Sequence, residues 1–186
     1  MRILAISGSL RRDSHNSALL RAAAKQLPSG VELTIHDGLR EIPPYDDDEL
    51  ATPSPAVVRL REEIAAADGV LVSTPEYNSS IPGQLKNALD WMSRPLAESP
   101  LRNKPAAVIG ASTGMFGAVW AQAEARKVLG AIGARVIDTE LPVPAADDQF
   151  ADDGSLSDPD LEQELVAVLD ELVAAITARS EGAQAA

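Results

Sequence analysis

RILAISGSLRRDSHNSALLRAAAKQL, residues 2–27, reads as a strand, a loop and a helix in immediate succession. Arg2-Ile3-Leu4-Ala5-Ile6 is a short apolar run of the kind that suits a strand covered on both faces. Ser7-Gly8-Ser9 ends it. From Ser17 to Leu27, Ala18, Leu19, Ala22, Ala23 and Leu27 recur at helical spacing, and Pro28 and Gly30 close the segment. A buried strand feeding a helix through a polar loop is the repeating unit of a parallel α/β sheet.

The rest of the chain repeats that unit. Val31–Ile35 alternates as a second strand with one wetter face, and Gly69–Ser73, Pro105–Gly110 and residues 134–137 supply three more. Ser54-Pro55 opens a helix in cap-then-proline order, with Val57, Leu60, Ile64 and Ala67 on one face. Further helices are expected over Pro82–Met92 and Gly117–Leu129. Asp158 caps the last one and Pro159 opens it, with Leu161, Leu165, Val168, Leu169, Leu172, Val173 and Ile176 as its apolar stripe. Five strands alternating with five helices give an α/β, doubly wound parallel sheet with helices on both faces. One domain is expected over residues 1–178, and residues 179–186 are expected to form a disordered tail. The irregular stretch 37–53, rich in Pro and Asp, is expected to be functional or mobile.

Composition narrows the chemistry. A chain of 186 residues can bury a core without staples. With no cysteine, disulfides, zinc ribbons, iron–sulfur clusters and cysteine nucleophiles are excluded. Two histidines, His15 and His36, make histidine-rich metal sites and histidine catalysis poor candidates; no metal is expected and no catalytic side chain is assigned. Sixteen Lys+Arg against 28 Asp+Glu give a net charge of −12, which disfavours nucleic acid and anionic membranes as partners. No apolar run approaches the roughly 20 residues of a membrane span, and Ile3–Ile6 is too short for a signal-peptide core. A cytoplasmic protein is expected.

In doubly wound sheets ligands bind beyond the carboxyl ends of the strands. Three loops therefore matter. The first, Ser7–Ser17, combines hydroxyls, amides, Arg11 and Arg12 just before a helix, which makes an anion cradle; it also reads as a polar turn with Ser14 or Asn16 as helix cap. It is neither G-x-G-x-x-G nor G-x-x-x-x-G-K-[ST]. The second, Ser73–Gly83, is stiffened by two prolines and offers amides to a planar ligand, or forms a plain turn with Ser80 capping the next helix. The third, Gly110–Gly117, has three glycines for close approach and the apolar Met115 and Phe116, or is a flexible turn with Phe116 folded inward.

Gly8-Ser9-Leu10-Arg11-x-x-Ser14-x-Asn16, then Thr74-Pro75-Glu76-Tyr77-Asn78-x-Ser80-Ile81-Pro82-Gly83-x-Leu85-Lys86-Asn87-Ala88-Leu89-Asp90-Trp91, then Gly110-Ala111-Ser112-x-Gly114 resembles the NADPH-dependent FMN reductase family, with its quinone and chromate reductases. The resemblance runs from about residue 2 to residue 137. It implies a flavodoxin-like five-stranded sheet of order 2-1-3-4-5 that binds FMN. Ser9, Arg11, Ser14, Asn16 and Ser17 would hold the phosphate. Pro75, Glu76, Tyr77 and Asn78 would line the isoalloxazine ring, and Ser112 and Gly114 would close the far side. NADPH or NADH would give hydride, and a quinone, free flavin or other small molecule would accept it. A homodimer or homotetramer is implied, with Trp91 and Met92 at a subunit interface. Many members continue the third loop with Gly-Gly and an arginine, where this chain has Gly117-Ala118-Val119-Trp120; nucleotide preference and assembly geometry stay open. A flavodoxin-like electron carrier reduced by a partner protein is the rival reading. His15 is expected as a solvated loop residue, Lys86 as a surface or ligand residue, and the acidic runs 46–49, 147–148 and 152–153 as solvated.

Overall fold

The structure, a computed structural model, describes residues 1–184. Strand β1 (Arg2–Ser7) lies between β2 (Glu32–His36) and β3 (Gly69–Ser73), and β4 (Pro105–Ala111) follows β3, every pairing parallel. The order is 2-1-3-4-5. Register sets Ile6 opposite His36, Ser7 opposite Ser73, and Ser73 opposite Ile109, so these strands end level with one another. The switch point, where the order reverses, falls beside β1.

Alternation along the strands divides the core into two. Leu4, Ile6, Val70, Val72, Ala106 and Val108 pack beneath α2 (Pro55–Ala66), α3 (Gly83–Met92) and α4 (Val119–Ile132). Ile3, Ala5, Leu71, Ala107 and Ile109 pack beneath α1 (His15–Gln26) and α5 (Pro159–Gln184). Period-2 burial on both faces is why these strands read as continuous apolar runs.

The fifth position departs from the expected single strand at 134–137. Two short strands fill it, β5 (Arg135–Val136) on the first half of β4 and β6 (Leu141–Val143) on the second. The break is chemical. The Glu171 carboxylate on α5 accepts the N–H groups of Asp138 and Thr139 (both 3.2 Å), which are then lost to the ladder, and Pro142 has none to offer. Gly117 packs where this edge turns inward. Its φ is +55°, and a Cβ there would lie 2.5 Å from Pro142 C, so only glycine fits.

Two further expectations are corrected, and of the two readings of 37–53 the mobile one falls away. Helix α5 continues to Gln184 instead of ending at 178, because Ala, Arg and Glu favour helix and Arg179 donates to the Asp68 carbonyl (3.3 Å); residues 185–186 lie outside the described residues. The 37–53 stretch is a fastened strap. Gln84 donates to the Leu39 and Ile42 carbonyls (2.8 Å each), and Asn87 both donates to Pro43 O (2.8 Å) and accepts from Tyr45 N (2.7 Å). Beneath the strap Trp91 is fully buried and donates to Pro43 O (2.9 Å), so Trp91 and Met92 belong to the chain's own core and not to a subunit interface. At the sheet's opposite end Lys104 Nζ donates to the carbonyls of Ile64 (2.7 Å) and Ala67 (2.5 Å), closing α2. Burial pushes its ammonium down to about 8, a shift that these carbonyls and the helix's negative end oppose.

Candidate functional site: a cleft at the switch point

The β1–α1 loop is ordered by its own side chains. Ser14 caps α1, accepting from the N–H groups of Asn16 (3.2 Å) and Ser17 (3.4 Å). Ser9 Oγ accepts from Arg11 N (3.3 Å), and Arg11 Nε donates to the Asp13 carbonyl (2.9 Å). The loop is anchored by Gly8 N on Ser73 O (2.8 Å). Asn16 is buried. Its Oδ1 accepts from Ser73 Oγ (2.9 Å) and Ala111 N (3.0 Å), and its Nδ2 donates to Ala111 O (2.9 Å). One amide thereby ties the start of α1 to the ends of β3 and β4. Its side-chain amide serves the scaffold.

In the β3–α3 loop, Tyr77 and Ser80 exchange backbone hydrogen bonds (3.0 and 3.2 Å) around Asn78 and Ser79, both at positive φ. This two-residue left-handed turn presents Tyr77 to solvent. Ser80 is used there and does not cap α3, whose N-cap is Pro82. Glu76 reaches away from its own loop. Its Oε2 accepts from the N–H groups of Trp120 (3.0 Å) and Ala121 (3.1 Å), the first turn of α4. Ala118, the α4 N-cap residue, has no capping side chain, so the carboxylate supplies the cap and matches the helix dipole. Glu76→Ala is expected to destabilise the fold by about 0.5–2 kcal/mol, with partial recovery in Glu76→Gln. Thermal unfolding checks this, and an unchanged Tm in the alanine variant would remove the capping role.

The β4–α4 loop is tied to the edge. Ser112 N donates to Val143 O (3.0 Å), and Gly114 N donates to Ser112 Oγ (3.1 Å). Past it Met115, Phe116 and Trp120 are exposed, with the last two rings in an edge contact at 5.0 Å. Phe116 is therefore not folded inward.

The three loops enclose one open cleft of about 500 Å³. Ser9, Arg11, Ser14 and Asn16 line one end, Pro75, Glu76 and Tyr77 another, and Ser112 a third. Ser17, Asn78 and Gly114 are not among the lining residues. Ser17 Oγ donates to Ser7 Oγ (3.0 Å), Asn78 forms the turn, and Gly114 holds the loop through its backbone. Ala111, Thr113 and His15 line the cleft as well. His15 stacks on Phe150 (centroids 6.0 Å apart) with Nε2 3.0 Å from Asp147 Oδ1, so it is no solvated loop residue. Lys86 pairs with Asp90 at 2.6 Å and does not line the cleft.

The sequence pattern of the NADPH-dependent FMN reductases matches residues 1–148. The chain belongs to that family. This FMN reductase is 44% identical over 168 residues to the NAD(P)H-dependent FMN reductase of Pseudomonas aeruginosa, an alignment covering 89% of each chain. A quinone reductase of Escherichia coli K12 is 39% identical over 140 residues, 74% of each chain. FerB, a flavoenzyme NAD(P)H:(acceptor) oxidoreductase from Paracoccus denitrificans, superposes with a TM-score of 0.85 at 35% identity, covering 96% of the reductase and 98% of FerB. The fold is flavodoxin-like, and the protein is an FMN-dependent NAD(P)H oxidoreductase. Among the described residues, no helix is long and apolar enough to cross a membrane.

Proposed function

We propose that the switch-point cleft is the FMN site of a reductase that passes electrons from NADPH or NADH to a quinone, a flavin or another small acceptor. The observation that carries this reading is the convergence of the β1, β3 and β4 loops on one cleft with a guanidinium at one end. The donor set fits the group. Arg11, Ser9 and Ser14 at the start of α1 suit a phosphate, and the Pro75–Tyr77 backbone suits the edge of a planar ring. When bound, FMN supplies the redox chemistry. The chain's own part is to hold the phosphate, orient the ring and leave one face open beside Tyr77. Ser17, Asn78 and Gly114 then act through the loops' shape and not by contact.

The reading extends to the assembly and the compartment. One domain, with α5 running on to Gln184, carries the activity, and copies associate through the exposed Phe116 and Trp120, next to the cleft. Such a patch on an otherwise acidic chain favours a self-complementary interface. The cytoplasm supplies reduced nicotinamide nucleotides, and the chain is placed there on that ground.

The test is to load FMN and mix with NADPH and with NADH without oxygen, following flavin absorbance. Rapid bleaching supports the reductase. Flavin that binds but stays oxidised supports a carrier reduced by a partner protein, and failure to load FMN removes the reading. Arg11→Ala should weaken FMN by about 1.5–3 kcal/mol, as for a lost charged hydrogen bond. Fluorescence titration reads this directly, and wild-type affinity would withdraw Arg11 from the phosphate end.

A further inference from the structure

A second cavity, of about 700 Å³, opens on the other side of the β1–α1 loop. Ser9 lines both spaces, but the neighbouring arginines part company: Arg11 lines the cleft and Arg12 the second cavity. Arg21 of α1 and Arg40 of the strap join Arg12 there. All three are exposed, and among the described residues none has a carboxylate within ion-pair distance. Arg40 Nη2 donates to Leu10 O (2.7 Å), which pins this guanidinium against the loop.

The chain carries a net charge of −12 with only 16 Lys+Arg, so three unpaired cations around one space stand against the average. Their mutual repulsion is relieved by an anion of opposite charge. The one carboxylate that lines the cavity, Asp37, is already paired with Arg59, which holds it below the usual carboxylate range. The Ser17 hydroxyl lines the same space. His36 lines it too; its buried ring has Nδ1 2.6 Å from Glu63 Oε2 and an Nε2 with no partner.

We propose that this cavity is a second anion site, separate from the FMN phosphate, that takes a phosphate dianion through Arg12, Arg21 and Arg40. Guanidinium forks bind tetrahedral oxyanions bidentately, and several of them around one volume favour the dianion. Two sources share this chemistry: the 2′-phosphate of NADPH, and free inorganic phosphate. The first source rests on the reading of the adjoining cleft as the FMN site; the second does not.

Arg21→Ala is the clean substitution, since Arg21 makes no other hydrogen bond among the described residues, and an Arg21→Ala/Arg40→Ala double variant extends it. The FMN-loaded protein is titrated calorimetrically with inorganic phosphate and adenosine 2′,5′-bisphosphate, and kcat/KM is measured for NADPH and NADH. If the 2′-phosphate is the ligand, the variants bind the bisphosphate about tenfold or more weakly. They also lose a similar factor on NADPH through KM, while NADH kinetics hold. If free phosphate is the ligand, inorganic phosphate binds the wild type and is lost in the variants, with the two donors still undistinguished. Equal affinities of wild type and variants for both phosphate probes overturn the site. Should the wild type fail to load FMN, the cleft reading falls, and the phosphate titration still judges this one.

Discussion

Asn16→Leu is expected to lower stability by about 3–5 kcal/mol. The substitution keeps the volume and removes both halves of a buried amide. Ser73 Oγ, Ala111 N and Ala111 O then lose their partners at the point where α1, β3 and β4 meet. Each buried polar group left unpaired costs about 1–3 kcal/mol, and leucine offers nothing in return. Denaturant unfolding at constant m would show a lower midpoint. FMN affinity should fall with it, because the loop bearing Ser9 and Arg11 is registered to the sheet through this residue. A leucine variant as stable as the wild type would mean that the amide is dispensable.

Trp91→Ala carries the other large effect, about 3–5 kcal/mol, as for other buried tryptophans cut to alanine. The indole fills the space between α3 and the strap, contacts Tyr45 edge-on at 5.2 Å and donates to Pro43 O. Trp91→Phe separates the contributions: it keeps an aromatic ring but loses the N–H, and should cost less than half as much. Limited proteolysis should cut the alanine variant within residues 37–53 well before the wild type. Equal proteolysis rates would mean that the strap is held by Gln84 and Asn87 alone.

Which parts were legible in the sequence follows from how local their causes are. The strands of the central sheet and the cap at Ser14 are written in adjacent residues, so their reading stands. The placement of Ser9 and Arg11 at one cleft needs only the strand–loop–helix order and the position of β1 in the sheet. Asn16 was legible as a site residue but not in its direction, because Ala111 lies 95 residues away. Glu76 reads as part of a ring-binding loop, yet its carboxylate answers a helix start 44 residues further on. The edge strand breaks for a similar reason, since the residue that takes its N–H groups sits on α5. Trp91 shows the converse error. A large aromatic at a helix end is equally suited to an interface or a core, and only the strap's return across α3 decides for the core. His15 had a signal in its position beside Ser14, but the partners that hold it, Asp147 and Phe150, had none.

The cap that Glu76 supplies to α4 also gives the cleft a direction. Two helices begin at its rim, and each start carries a partial positive charge of about half a unit. At α4 the Glu76 carboxylate sits on the first-turn N–H groups of Trp120 and Ala121; at α1 the cap is a neutral hydroxyl with Arg11 beside it. The rim is thus electropositive at one end and quenched at the other. A guest with one anionic tail and one neutral head can enter in a single orientation, and the polarity that enforces it is built by a side chain from the loop that would meet the head.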